Sequence, residues 1–210
     1  MRRLLICLAL LSLPLAAADE EVFRVYTEHP RLFLRPHRLN LLRKEPGRQS
    51  MRWEQFSTLL KGGVQPPEPG FAWALFYEIA GDKAAGRKAV EWAVSPQRRI
   101  GDLRQLAIVY DWCQDVLTQA EAQSLASHIR AFLGQPLNSP SLPSERDRVL
   151  AALSIAERDQ DFTERVLRAA ITDWWRRQFA PALGSSGHLL VGGDLFPLVE
   201  LLHAVRDNLN

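Results

Sequence analysis

The chain has 210 residues, of which 47% are hydrophobic and six are tryptophans, so it can bury one sizeable core. Its 26 basic and 24 acidic residues give a formal net charge of +2. A charge so close to zero argues against a general polyanion-binding surface and against nucleic acid as a partner.

The first predicted element, residues 1–18, has the order of a secretory signal peptide. Two arginines precede an apolar run at 4–15, and three alanines follow before the first acidic residues. A membrane span needs about 20 apolar residues, whereas this shorter run ends in small residues that suit cleavage after Ala18. The sequence predicts export to the periplasm or the cell exterior, with no membrane span. The mature chain then contains Cys113 alone, which excludes an intramolecular disulfide.

Residues 19–35 are expected to form an extended N-terminal segment. Pro30 disfavours helical backbone in the residue before it, and the apolar residues that follow lack helical spacing. A helical domain is expected over 36–210. It begins at Pro36, because the fixed φ of proline suits the first position of a helix.

Apolar periodicity and capping residues predict the helices that follow. A Gly-Asp turn at 81–82 separates an almost wholly apolar helix from a shorter one and makes a helical hairpin. Thr118 and Glu121 form a capping box that opens another helix. The predicted helices are 50–60, 71–79, 84–94, 100–117, 119–133, 144–156, 161–179 and 195–209, with irregular segments at 66–70 and 183–194. The expected fold is all-α, built from antiparallel helical hairpins without a sheet.

Four segments in this order resemble the N-terminal helical domain of the heparinase II/III-like and alginate-lyase-like polysaccharide lyases. They are His-Pro-Arg-Leu-Phe at 29–33, the hairpin sequence at 73–82, Tyr-Asp-Trp at 110–112 with the Leu-Thr exit at 117–118, and Ser-Ser-Gly-His-Leu-Leu at 185–190. The resemblance implies an (α/α) toroid, incomplete here, in which helical hairpins ring a groove for an acidic polysaccharide. It also implies cleavage by β-elimination next to a uronic acid.

Such a reaction removes a carbon-bound proton beside a carboxylate. It therefore needs a group that neutralises the carboxylate, together with a histidine or tyrosine for proton transfer. The resemblance implies an Asn-His pair before a helix, and the matching positions are Gly187 and His188. His188 is the predicted catalytic residue, while Gly187 cannot supply the side-chain amide of an asparagine. The catalytic tyrosine and second histidine of such lyases would come later than Asn210, so binding without catalysis is an open alternative.

A second candidate site is the run of two tryptophans and two arginines at 174–177. Indole rings stack on sugar faces and guanidinium groups pair with carboxylates. Because Trp174 continues a buried helix stripe, the predicted substrate-binding residues are Trp175, Arg176 and Arg177. Consecutive residues point to different faces of a helix, so only some of these side chains can face a groove.

The other candidate side chains are expected to be structural. His29 and Arg31 should anchor the N-terminal segment, and Tyr110 should pack in the core with a hydrogen-bonded hydroxyl. No HExxH or CxxC spacing occurs, so neither a metal nor another cofactor is expected. An incomplete toroid would expose apolar helix faces, which predicts self-association through its open edge. The alternative function is a non-catalytic helical scaffold or a glycan- or protein-binding module at the cell surface.

Overall fold

The computed structural model describes residues 23–96, 102–136, 140–186 and 192–209, and these residues form an all-α structure. No β-strand occurs within these ranges, although an isolated bridge pairs Val25 with Leu209. The helices are α1 (Pro36–Leu42), α2 (Met51–Lys61), α3 (Pro69–Ala80), α4 (Lys83–Val94), α5 (Leu103–Trp112), α6 (Gln119–Leu133), α7 (Leu142–Ser154), α8 (Gln160–Arg168), α9 (Ala180–Ser186) and α10 (Leu195–Asn208). A π-helical segment, Ala169–Phe179, joins α8 to α9, and a 3₁₀ turn, Gln114–Val116, follows α5.

The predicted signal peptide, residues 1–18, lies outside the described residues. Of the helices in the described ranges, none is long and apolar enough to cross a membrane. Residues 23–35 contain no helix. This N-terminal segment meets the last helix, because the Tyr26 amide donates a hydrogen bond of 2.9 Å to the Asn208 carbonyl.

Local capping explains several helix boundaries. Pro36 occupies the first position of α1. The Ser50 side chain accepts a hydrogen bond from the Trp53 amide at the start of α2, and Asp82 caps α4 in the same way. Gly81 ends α3 at a φ of 70°, in the left-handed region that glycine adopts without strain. These boundaries confirm the predicted helices and the α3–α4 hairpin.

Other predicted boundaries are wrong, for local reasons. The loop expected at 66–70 ends earlier, because Pro69 takes the first turn of α3, where its missing N–H costs nothing. The helix expected from 144 begins at Leu142, because Ser141 rather than Ser144 is the N-cap. The helix expected to reach 117 ends at Trp112 and gives way to the 3₁₀ turn.

The chain between α8 and α9 also departs from the predicted pattern. A continuous α-helix was expected over 161–179, but the residues from Ala169 to Phe179 are π-helical. The helix then continues to Ser186, although an irregular segment was expected from 183. Three residues of the predicted stripe, Val166, Ala170 and Trp174, are buried, and the fourth, Phe162, is half-buried.

Helix α5 is at the centre of the fold. All ten of its residues are buried, including Arg104 near its start and Asp111 near its end. It packs against α3, α4, α6 and α7, and α10 packs against α7. A helix buried on every side must satisfy its polar side chains within the protein. The two ends of α5 therefore carry the polar networks that hold the surrounding segments in place.

Candidate functional site

His188, the predicted catalytic residue, and Gly187 lie outside the described residues. The described chain resumes at Gly192 and enters α10 at Leu195. Three regions of the described residues contain candidate site features: the π-helical segment, a groove near the N-terminus and the polar network at the end of α5.

The π-helical segment carries the predicted substrate-binding residues. Trp175 is half-buried, and its ring lies 5.3 Å from that of Phe179. Arg177 is exposed and lies 2.7 Å from Asp173, one turn earlier. Trp175 and Arg176 line a cavity of about 170 Å³ between α7, the π-helical segment and α10, and Arg177 does not line it. The structure thus brings Trp175 and Arg176 to one cavity and directs Arg177 elsewhere.

The walls of this cavity are mostly apolar, but one carboxyl group lines it. That group belongs to Glu145, in the first turn of α7. Burial raises the pKa of Glu145, and the nearby charge of Arg148 opposes the rise. A carboxylate in this position would repel a uronate bound inside the cavity.

A larger groove of about 510 Å³ lies between α1, α2 and α3, at a place where no site was predicted. Its lining combines aliphatic and aromatic side chains with charged ones: Leu41, Leu42, Glu45, Arg48, Arg52, Trp53, Phe56, Leu75 and Ile79. Trp53 is half-buried and stacks on the buried Phe76, with ring centroids 5.2 Å apart and planes 21° apart. Phe56 lies beside Trp53, so two aromatic rings form part of the groove surface.

Two arginines border the same groove. Their side chains are 63% exposed for Arg48 and 89% exposed for Arg52, and each lies near the carboxylate of Glu45, at 4.0 and 3.5 Å respectively. Ion pairs this exposed contribute little, about 0–1 kcal/mol, so both guanidinium groups can exchange Glu45 for an anionic ligand. The sequence carried a signal for this groove, because Arg48 and Arg52 are four positions apart beside Trp53 and Phe56. The spacing of Trp53 and Phe56 by itself predicts only an apolar helix stripe.

A buried network at the end of α5 holds the N-terminal segment. Asp111 is fully buried and accepts hydrogen bonds from the backbone amides of Arg31, at 2.9 Å, and Leu32, at 2.7 Å. Its other carboxylate oxygen lies 2.6 Å from Nδ1 of His29. The Arg31 guanidinium reaches Glu157 at 2.9 Å. These contacts confirm that His29 and Arg31 anchor the segment.

Tyr110 joins the same network from α5. Its hydroxyl donates to Oε1 of Glu157 at 2.9 Å and accepts from Nε of Arg158 at 3.0 Å. Burial raises the pKa of Tyr110. Because the side chain is fully buried and its hydroxyl is engaged, Tyr110 is a packing residue, as predicted, and does not offer a proton to a bound sugar.

The charges of this network shift the pKa values of its members. Burial alone would lower the pKa of His29, but hydrogen bonding with the carboxylates of Asp111 and Glu157 outweighs burial and raises it to about 9. Burial likewise opposes the shift of Glu157, whose pKa falls to about 2 because His29, Arg31 and Tyr110 stabilise its charge.

We expect His29 to make the stability of the protein depend on pH. The folded pKa of about 9 lies above the ordinary value of 6.5. The stabilisation from His29 is therefore fully present below about pH 6.5 and is lost as the pH rises through about 9. Urea unfolding from pH 6 to 10 measures the free energy of unfolding, which should fall in the wild type as the pH rises. His29→Gln should reduce this fall, while the exposed control His37→Gln should leave it unchanged. An unchanged decline in His29→Gln would contradict the assignment.

No group of three or more histidine, cysteine, aspartate or glutamate side chains is arranged to hold a metal ion among the described residues. Comparison of the chain with protein-family models, with curated proteins and with solved structures gives no match in any of the three. The described residues thus define an all-α protein with a buried polar anchor and an arginine-bordered aromatic groove.

Proposed function

We propose that the chain is an exported, polysaccharide-lyase-like helical domain, arranged as an incomplete (α/α) toroid, that binds an acidic, uronate-containing polysaccharide. The sequence resemblance motivates this proposal. The structural observation that carries it is the groove between α1, α2 and α3, where two exposed arginines border an aromatic surface.

The groove has the properties that a uronate polymer requires. A volume of about 510 Å³ lies within the range of small-ligand sites, about 300–1,000 Å³. Apolar faces of sugar rings can pack on Trp53 and Phe56, while Arg48 and Arg52 pair with carboxylates. Glu45 contributes one negative charge against two positive ones, so the groove favours an anionic ligand. Trp175, Arg176 and Arg177 remain predicted contacts, although Glu145 makes their cavity less suited to a uronate.

We expect the double variant Arg48→Ala/Arg52→Ala to bind polygalacturonate about tenfold more weakly than the wild type, since two charge-assisted contacts are lost. Isothermal titration calorimetry at low salt provides the measurement, because salt screens exposed charges. The matched control is Arg165→Ala/Arg206→Ala, which removes two exposed arginines from α8 and α10. Equal loss of affinity in both variants would indicate a general charge effect rather than a groove.

Cleavage by β-elimination is proposed to require His188. The unsaturated product absorbs in the ultraviolet, so purified protein can be assayed against alginate, heparan sulfate, chondroitin and polygalacturonate. A rise in absorbance that disappears in His188→Ala would support a lyase. Binding without any rise supports the non-catalytic form of the proposal, and the absence of both binding and cleavage rejects it.

An exposed apolar stripe on α10 favours the second candidate, a scaffold that binds a protein. The large exposed side chains on this helix are Leu195, Phe196, Val199 and Leu202. Their spacing of three and four residues places them on one face, and such patches mark protein contacts.

Self-association through this stripe is the form of protein contact that we expect. Val199→Glu should shift the protein from oligomer to monomer in light scattering, because the interface would then have to bury a charge. Val64→Glu, at an equally exposed valine after α2, is the control. A wild-type protein that is monomeric at high concentration would contradict this prediction.

A further inference from the structure

Glu145 differs from the other buried carboxylates of the described chain. Those that lie beneath the surface are Glu78, Asp111, Glu145 and Glu200. Direct partners exist for three of them: Arg43 at 3.0 Å from Glu78, His29 at 2.6 Å from Asp111 and Arg104 at 2.5 Å from Glu200. The carboxyl group of Glu145, whose residue is 6% exposed, has no hydrogen bond or ion pair with any described residue.

A largely buried carboxylate without a hydrogen bond or a direct ion pair is costly, because burial removes most of its water and a charge that lies farther away compensates only in part. Burial accordingly raises the pKa of Glu145, and Arg148 only partly opposes the rise. The position of Glu145 in the first turn of α7 favours a negative charge through the helix dipole. The cap of that helix is formed by Ser141 and Ser144 and uses no oxygen of Glu145. A bound group that carries a positive charge would supply the missing partner.

The cavity beside Glu145 has the size and surface for such a group. Its volume of about 170 Å³ is close to the roughly 150 Å³ of cavities that hold one benzene-sized molecule. Trp174 and Trp175 line it, and aromatic faces attract cations. The remaining walls are aliphatic side chains of α7, α10 and the π-helical segment. Arg176 is the cation in the lining, and its side chain is exposed to solvent, which screens its charge.

We infer that this cavity binds a small organic ammonium ion with a compact apolar body. The ammonium group pairs with the carboxylate of Glu145, and the apolar body packs against the two tryptophans and the aliphatic side chains of α10. This inference is independent of the proposed polysaccharide groove, because the two sites share no residue.

Titration of the full-length protein with benzylammonium and with benzyl alcohol tests the inference, because the two probes differ mainly in charge. Calorimetry and tryptophan fluorescence follow the binding near neutral pH. We expect benzylammonium to bind about tenfold more tightly than benzyl alcohol, because its ammonium group donates a charged hydrogen bond to the carboxylate of Glu145. Equal affinity for the two probes, or no binding of benzylammonium, overturns the inference.

Three variants test which charged side chain causes the preference for benzylammonium. Glu145→Gln keeps the shape of the side chain and should weaken benzylammonium binding about tenfold, while the exposed control Glu91→Gln should not. Arg176→Gln should tighten benzylammonium binding, because it removes a like charge. A uronate occupant predicts the reverse for both Glu145→Gln and Arg176→Gln, so galacturonate titrated against the same variants distinguishes the two ligands.

Glu145→Gln removes an unpaired buried charge and should fold normally, which a thermal melt confirms. If Glu145→Gln binds benzylammonium as tightly as the wild type does, the inference fails.

Discussion

Replacing Asp111 with alanine is expected to lower the free energy of unfolding by about 3–5 kcal/mol, as is usual when one partner of a buried ion pair is removed. The carboxylate satisfies the backbone amides of Arg31 and Leu32 and also contacts the ring of His29. Without it, the two amides and the buried Arg31 side chain lose a partner, and so does the half-buried ring of His29. The N-terminal segment, rather than α5 itself, should loosen first.

Urea unfolding measures the total loss, and hydrogen exchange locates it. Asp115→Ala is the matched control, because Asp115 is exposed in the 3₁₀ turn just beyond α5 and should change stability by no more than about 0.5 kcal/mol. Increased exchange confined to residues 23–35 in Asp111→Ala would support the anchoring role. Equal stability of the two variants would show that the network contributes no net free energy.

Replacing Glu200 with alanine is expected to cost about 3 kcal/mol. Glu200 lies on α10 and receives hydrogen bonds from Arg104 of α5, at 2.5 Å, and from Arg146 of α7, at 2.7 Å. Arg104 is buried and, of its two carboxylate partners among the described residues, keeps Glu68, at 2.8 Å, after the substitution. The expected loss lies at the lower end of the range for buried pairs because that second carboxylate remains.

Thermal unfolding compares this variant with Glu164→Ala. Glu164 forms a partly exposed pair with Arg168 on one helix, a kind of contact worth about 0.3–0.5 kcal/mol. The double variant Arg104→Ala/Glu200→Ala should lose less than the sum of its two single variants, since neither charge is then left without the other. Additive losses would contradict a direct coupling between α5 and α10.

The two networks explain how a helix buried on all sides is tolerated. Arg104 near the start of α5 and Asp111 near its end each pair with segments that are distant in sequence. The first network joins α10 to the centre of the fold, and the second joins the N-terminal segment to it. The α1–α3 groove and the cavity beside Glu145 therefore lie on a scaffold whose central helix is held at both ends.

Part of the candidate site was predictable from sequence. The tryptophans and arginines at 174–177 were recognised by residue type, and the structure brings Trp175 and Arg176 to a cavity. The groove at Arg48 and Arg52 was missed, because periodicity marks Trp53 as apolar without showing how much of its ring the fold covers. Nothing in the sequence distinguishes Glu145 from exposed glutamates, since its burial results from the packing of α7 against α10 and the π-helical segment.

The all-α class and most helix boundaries follow from local sequence patterns. Ser50, Gly81, Asp82, Thr118 and Glu121 act on backbone groups within a few residues of themselves, so their effect can be read without tertiary structure.

The pairing of charges, in contrast, depends on how the helices pack. Asp111 pairs with Arg31 across 80 positions and Glu200 pairs with Arg104 across 96, while Glu145 has no hydrogen bond or direct ion pair with a described side chain. The local sequence around each residue does not indicate whether its charge is paired. Ion pairing and desolvation act over distances in space, and the distance between two side chains far apart in sequence is set only when the helices pack.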